Sequence, residues 1–234
     1  MKNKAFTLAE TLVVIGAIGI VAALTLPDLN KYTGHKETVA AVKKFYSEVV
    51  NAYNMAQLSY GPVKTWCIDL DENACNKKIG ERISENLKLK KVCGIESSRA
   101  CFSDTALQDL NGNFSYNTND SNGYKVILQT GPSISFRIGC ANRVDIDGPN
   151  KGPNVLGRDV FVFCTWNPQT NEYEFVPQTE PDLSVVNMSG SNAASWILKH
   201  GNMDYLVTDL VDSKRVKCVN SSVILDGMSK SSCK

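Results

Sequence analysis

The chain has little histidine and almost no excess of charge. Its 234 residues include 2 histidines, and 25 basic residues offset 24 acidic ones to leave a net charge of +1. This balance, without a basic stripe, gives no indication of nucleic-acid binding. The histidines, His35 and His200, lie in no H-E-x-x-H motif, and no P-loop, G-x-G-x-x-G or G-x-S-x-G sequence occurs. The sequence therefore predicts a protein that is not an enzyme.

Charge is scarcest at the start of the chain. Lys2 and Lys4 stand in a short leader, and an almost unbroken apolar run from Phe6 to Leu26 follows, closed by Pro27. A run of about 20 apolar residues is long enough to cross a bilayer as a helix. Glu10 is the one acid inside the run. A carboxylate in that position is costly and by default marks a functional site.

Three ordinary interpretations of this segment fit less well. A secretory signal carries its small-residue cleavage site after the apolar core, whereas Ala5 precedes the core here. Cleavage between Ala5 and Phe6 would leave the apolar helix on the mature protein. A simple signal anchor needs no acid at Glu10, and a buried core helix is apolar on one stripe rather than all round.

The segment Lys4-Ala5-Phe6-Thr7-Leu8-Ala9-Glu10 places a small residue before Phe-Thr-Leu-x-Glu and an apolar helix. This pattern resembles the processing site of type IV pilins and type II secretion pseudopilins, over roughly the first 30 residues. The resemblance implies cleavage after Ala5 by prepilin peptidase and N-methylation of Phe6. Pro27 then falls where many pilins carry a helix-kinking proline. Alanine in place of the commoner glycine before the cut, and Ala9 in place of a larger aliphatic residue, are conservative departures.

Glu10 carries the charge that complements the amine created on Phe6. Positions four apart share a helix face, and opposite charges attract strongly where the dielectric is low. The resemblance implies that in a filament the amine of one subunit pairs with Glu10 of a neighbour and sets the register. The alternative is an acid favoured only by the helix dipole.

The resemblance implies a structural subunit of a type IV pilus or a type II secretion pseudopilus. Such a subunit spans the bacterial inner membrane once, with its head outside the cytoplasm, and then joins the filament. Its partners are itself and other pilins, prepilin peptidase, an inner-membrane assembly platform and the lipid bilayer. A minor tip subunit with an adhesive head is an alternative within this class. A monomeric, signal-anchored binding protein or hydrolase is the alternative from another class.

Eight cysteines follow the apolar segment, and an even number predicts a disulfide framework in an oxidising compartment. Short spacing suggests the pairs Cys67–Cys75 and Cys93–Cys101. Cys140–Cys164 could link two strands, and Cys218–Cys233 could hold the C-terminus. A zinc site is the rival, but no C-x-x-C pair occurs.

Residues 6–60 predict one long helix that Gly61-Pro62 ends. Pro27 is expected to kink it, and Gly34 is a second weak point. Beyond Gly34, apolar residues recur at steps of three and four and predict an amphipathic stripe. The stripe consists of Val39, Val42, Tyr46, Val49, Tyr53 and Ala56.

The remainder predicts a mostly β head. The turn sequences Gly131-Pro132 and 167–171 separate apolar-rich stretches and predict two hairpins. Helices are expected over 77–89 and 192–199. The whole is an α+β fold with a prepilin leader (1–5), a long helix (6–60) whose first half spans the membrane, and a globular head (61–234). In the head, the helix packs on an antiparallel sheet with disulfide-linked loops.

One loop of the head could hold a cation. Calcium takes several oxygen ligands on a tightly turning backbone, and calcium is the one cofactor that the sequence suggests. The loop does not match the EF-hand pattern, and turn formation alone explains its Asn, Asp, Gly and Pro content. The candidate ligands are Asp145, Asp147, Asn150, Asn154 and Asp159.

Overall fold

The computed structural model describes residues 8–95, 100–116, 122–167, 170–178 and 189–206, together with three short strands beyond them. The chain divides into two compact units, Met1–Glu37 and Thr38–Lys234. The described helices are α1 (Leu8–Tyr60), α2 (Glu72–Ser84) and α3 (Ala193–His200). The described strands are β1 (Leu89–Gly94), β2 (Leu107–Gln108), β3 (Phe114–Tyr116), β4 (Tyr124–Leu128), β5 (Ser133–Phe136), β6 (Asn142–Asp145), β7 (Val160–Cys164), β8 (Val176–Pro177), β9 (Lys217–Val219), β10 (Ser222–Leu225) and β11 (Met228–Lys230).

The long helix is α1, which continues through Pro27 and Gly34 and ends at Tyr60. Gly61 follows in a left-handed conformation, with φ of 78°, as is common after a helix because glycine adopts that conformation without steric cost. Within the second unit the predicted stripe is confirmed as the buried side of α1. Its fully buried members are Val42, Val49, Tyr53 and Ala56, joined by Phe45 and Ala52.

The main sheet has six antiparallel strands in the order β1-β4-β5-β6-β7-β8. Both predicted hairpins are confirmed, since β4 pairs with β5 across Gly131-Pro132, and β7 pairs with β8. The register aligns Ile134 with Val126 on one side and with Val144 on the other. This places apolar side chains of successive strands in rows on the face that receives α1.

Aromatic side chains form the centre of the core between α1 and the sheet. The ring centroids of Phe45 and Phe163 lie 5.7 Å apart, and those of Phe163 and Phe175 lie 5.2 Å apart in a stacked pair. Tyr46 stacks on Phe163 at 5.9 Å. Burying one such side chain contributes about 1.5–3 kcal/mol, so this cluster is a main source of the free energy that folds the head.

Helix α2 begins earlier than the sequence predicts. It covers Glu72–Ser84 instead of residues 77–89. The cause is Asp71, whose carboxylate accepts the backbone N–H of Ala74 at 2.8 Å and caps the first turn. Ile79 and Ile83 are buried, as the apolar spacing predicts. Helix α2 therefore packs its apolar stripe beside α1 on the same face of the sheet.

Three of the four suggested disulfides are present. They join Cys67 to Cys75, Cys93 to Cys101, and Cys140 to Cys164. Cys218 lies in β9, but Cys233 lies outside the described residues, so the fourth pair stays a prediction. The third disulfide connects the β5–β6 turn to the end of β7, next to Phe163 of the aromatic cluster.

Candidate functional site

The first part of α1 exposes its apolar side chains. Glu10 lies in the first turn, and the hydroxyl of Thr11 donates a hydrogen bond to the carbonyl oxygen of Leu8 at 3.0 Å. The exposed fractions of the large apolar side chains here range from 51% to 80%. The exposed set comprises Leu8, Leu12, Val13, Val14, Ile15, Ile18, Ile20 and Val21.

The predicted processing and assembly residues are only partly described. Ala5 and Phe6 lie outside the described residues, so a pair between the amine of Phe6 and Glu10 stays a prediction. Pro27 is part of α1. Among the described residues, no helix combines the length and the apolar character needed to span a membrane.

The structure brings three of the five candidate calcium ligands to one place in the head. Asp145 ends β6 and Asp159 precedes β7, so the loop between these paired strands begins and ends at carboxylates. The Asp147 side chain lies next to that of Asp145. Asn150 is exposed. Asn154 is buried and adopts a left-handed backbone, with φ of 57°, which asparagine tolerates better than most residues.

Backbone amides already occupy part of this carboxylate cluster. The carboxylate of Asp159 accepts the N–H of Asn154 at 2.6 Å and the N–H of Val155 at 2.7 Å. One carboxylate oxygen of Asp145 accepts the N–H of Gly148 at 2.9 Å. Such charge-assisted hydrogen bonds are stronger than neutral ones. The loop is therefore closed by its own carboxylates acting as acceptors.

Two buried carboxylate oxygens of this cluster have no hydrogen-bond partner in the described part of the chain: Oδ2 of Asp145 and Oδ1 of Asp147. Burial raises the pKa of Asp145 to about 8, and the neighbouring carboxylate of Asp147 adds to the shift. Burial also raises the pKa of Asp159, against the amides of Val155 and Asn154, which lower it. A proton or a cation between Asp145 and Asp147 would relieve their repulsion.

The described carboxylates alone do not make up the full set of oxygen ligands that calcium takes. Calcium takes about six to eight oxygen ligands, whereas two carboxylate oxygens here are unsatisfied and those of Asp159 already accept amides. No group of three or more His, Cys, Asp or Glu side chains among the described residues is arranged to hold a metal ion. Calcium binding by this loop stays a prediction.

The second face of the sheet carries buried polar residues, of which the sequence singled out only Asp145. Ser133 to Ile138 alternates as a half-exposed strand would, yet all of β5 is buried. The ammonium group of Lys125 is fully buried and donates to the carbonyl oxygens of Gly123 at 3.0 Å and of Ile95 at 3.3 Å. In the sequence, only Lys125, within the otherwise apolar β4, indicates that this face of the sheet is polar. Its buried members are Lys125, Ser133, Ser135, Arg143 and Asp145.

Comparison of the chain with protein-family models, with curated proteins and with solved structures finds no match. The exposed apolar helix and the chemistry of the head are therefore the basis for a functional proposal.

Proposed function

We propose that the chain is a structural subunit of a type IV pilus or a type II secretion pseudopilus, and that it polymerises through its N-terminal helix. One combination of observations carries the proposal. The Ala5-Phe6 processing pattern precedes a helix whose apolar side chains, from Leu8 to Val21, are exposed and interrupted by the acid Glu10.

The exposed apolar surface needs a cover. Removing apolar surface from water contributes about 25 cal/mol per Å², and an apolar patch of this kind marks a contact with lipid or protein. In the proposed cycle, lipid of the inner membrane covers the helix first. The helices of neighbouring subunits then replace the lipid when the filament assembles.

The acid has a defined use in this cycle. A carboxylate within an apolar bundle is expensive unless a cation pairs with it. Cleavage after Ala5 would create a positive amine on Phe6, one helical turn from Glu10. Pairing of that amine with Glu10 of the next subunit would fix the axial step of the filament.

The three disulfides of the head support an extracytoplasmic location, because such bonds persist in oxidising compartments. With the head outside the cytoplasm, the prepilin leader lies on the side where its lysines are favoured. Prepilin peptidase and an inner-membrane assembly platform complete the expected set of partners.

The first experiment is intact-mass and N-terminal peptide mass spectrometry of the full chain purified from its native membrane. The proposal expects a mature protein that starts at N-methylated Phe6. A chain that still starts at Met1, or one that is cut near Pro27, would overturn it and favour an anchored or secreted monomer.

A second experiment separates assembly from anchoring. The variant Glu10→Ala should be processed but should fail to enter filaments that sediment from sheared cells. Glu37→Ala, which removes an exposed acid of the same helix, is the matched control and should assemble normally. Equal filament yields for the two variants would contradict a role of Glu10 in assembly.

A further inference from the structure

An exposed acidic surface lies at the N-terminal end of α2. It lies inside the loop closed by the Cys67–Cys75 disulfide. Ile68 is 63% exposed at its centre. We call this surface the acidic loop; its exposed residues are Ile68, Asp69, Asp71 and Glu72.

An exposed basic surface lies beyond the other end of α2, on strand β1. Among the described strands, β1 is an edge of the six-stranded sheet and pairs with β4 alone. Val92 is 52% exposed, and no ion pair joins its lysine neighbours to an acid among the described residues. We call this surface the basic edge; its exposed residues are Lys88, Lys90, Lys91 and Val92.

The acidic loop and the basic edge form no ion pair with each other in the described part of the chain. Helix α2 has 13 residues and separates them by about 18 Å at 1.5 Å per residue. None of their six charged side chains forms an ion pair within the described part of the chain. Each surface therefore keeps its charge available for another molecule.

We infer that the acidic loop of one copy docks on the basic edge of the next copy. Three acids oppose three lysines, and each surface has an exposed aliphatic side chain amid its charges, Ile68 on one and Val92 on the other. An apolar centre with a charged rim is the usual anatomy of a protein interface. Complementary charge selects the partner and the orientation.

The contact joins two different surfaces of the same chain, so it is heterologous. Repetition of a heterologous contact generates a ring or an open helical array. This inference rests on the proposed function, because it gives the head its own contact within a filament held together by the N-terminal helices.

The acidic loop is built to keep one shape. The Cys67–Cys75 disulfide closes it, and Asp71 is fixed by the amide of Ala74 at 2.8 Å. Asp69 adopts a left-handed backbone, with φ of 58°. A preorganised surface loses little conformational freedom when it binds, which suits a contact that repeats at every subunit.

Zero-length cross-linking tests the contact directly. A carbodiimide joins a carboxylate to a lysine amine only where the two touch. An equal mixture of ¹⁴N-labelled and ¹⁵N-labelled full chain, assembled in its membrane, should give mixed-isotope cross-links between the peptides that contain Glu72 and Lys91. Absence of mixed-isotope links between these peptides in assembled material would overturn the inference.

Charge exchange adds a second test. Asp69→Lys with Glu72→Lys, and separately Lys88→Glu with Lys91→Glu, should each lower the yield of sedimenting filaments at least tenfold at low salt. Combining all four changes in one chain, or mixing the two double variants, should restore assembly because opposite charges face each other again. Failure of both combinations to restore assembly would contradict the contact.

Matched controls keep this result specific. Lys151→Glu and Glu172→Lys reverse exposed charges elsewhere on the head and should assemble normally. Urea unfolding of every variant checks that the head folds. If Asp69→Lys prevents folding, the variant Asp69→Asn with Glu72→Gln replaces it and should also lower the yield of filaments.

The outcomes distinguish this inference from the proposed function. Normal filaments of a processed chain, unaffected by either charge reversal, would overturn the head contact and leave the pilin proposal standing. A chain that stays uncut and forms no filaments, yet yields the mixed-isotope links, would overturn the pilin proposal and leave the contact standing.

Discussion

Apolar side chains are exposed in one stretch of α1 and buried in another. From Leu8 to Val21 the large apolar side chains are at least half exposed, whereas Val42, Val49 and Ala56 are completely buried. Both stretches are helical and both are rich in valine. The difference is the cover: within the unit Thr38–Lys234 the second stretch packs on the sheet, whereas the side chains of the first stretch are exposed. Apolar sequence alone therefore does not determine burial, since the partner decides it.

Truncating an apolar side chain to alanine should lower the free energy of unfolding in the second stretch of α1 but not in the first. Phe45→Ala leaves a cavity beside Phe163 and should lower the free energy of unfolding by about 3–5 kcal/mol. The matched variant Leu12→Ala, at a side chain that is 63% exposed, should leave it unchanged. Urea unfolding of the full chain, followed by tryptophan fluorescence, measures both. Equal losses would show that the first stretch is also part of the folded core.

Destabilising the sheet that covers the second stretch of α1 should cause the next largest loss of unfolding free energy. Removing the disulfide of Cys140 and Cys164 opens a loop with a sequence separation of 24 and should lower the unfolding free energy by about 3.5 kcal/mol. The double alanine variant of Cys93 and Cys101, with a separation of 8, should lose about 2.5 kcal/mol because its loop is shorter. The reverse order would show that strain or packing, rather than chain entropy, dominates.

Substitutions on the face of the sheet away from α1 should lower the free energy of unfolding by a smaller amount. Asp159→Asn leaves one backbone amide of the loop without its acceptor and should lower the unfolding free energy by about 1–3 kcal/mol. Asp109 accepts the amides of Asn111 and Asn113 in the same manner but on the surface. Asp109→Asn should therefore have a smaller effect, because water can replace the carboxylate. An equal loss would mean that burial does not strengthen these hydrogen bonds.

The smallest effect concerns pH. The pKa of Asp145 is about 8 in the folded head, above its unfolded value, so the native state holds a proton that the unfolded chain lacks. In the presence of a chelator, stability should therefore fall between pH 6 and pH 7, by at most about 1.4 kcal/mol. Unfolding curves at the two pH values measure this loss, and Asp145→Asn should flatten it.

Two results would refine the interpretation of this site. An unchanged pH dependence in Asp145→Asn would assign the proton to another group. Recovery of the lost stability on addition of calcium would support the cation predicted for the loop, because a ligand that binds only the native state stabilises it.

The sequence predicted the features that local chemistry determines. Periodicity, turn residues and short spacing predict the stripe of α1, its end at Gly61, both hairpins and two disulfides, Cys67–Cys75 and Cys93–Cys101. The third disulfide, Cys140–Cys164, was suggested as a link between two strands. The start of α2 differs from the expected one because the Asp71 cap, rather than the spacing of apolar residues, determines where the helix begins.

Non-local packing explains the other differences. The alternation in Ser133 to Phe136 is that of a strand with one solvent-exposed face, yet the whole strand is buried. Residues distant in the sequence pack on neighbouring strands: Phe102 lies against Ile127 of β4, and Leu107 and Leu156 lie against Val160 of β7. The pattern around Asp159 was equally ambiguous. A carboxylate beside turn residues suits both a cation and two backbone amides, and only the fold shows which amides reach it.

The buried stripe of α1 also determines how the head would carry a mechanical load. Tyr53 donates a hydrogen bond to the carbonyl oxygen of Thr165 at 3.1 Å. About two turns earlier in the same helix, the ring of Phe45 lies against that of Phe163. These contacts lie side by side along the helix, so a pull along its axis would strain all of them together in shear. Within the head, α1 would have to slide out as a unit rather than peel away one turn at a time.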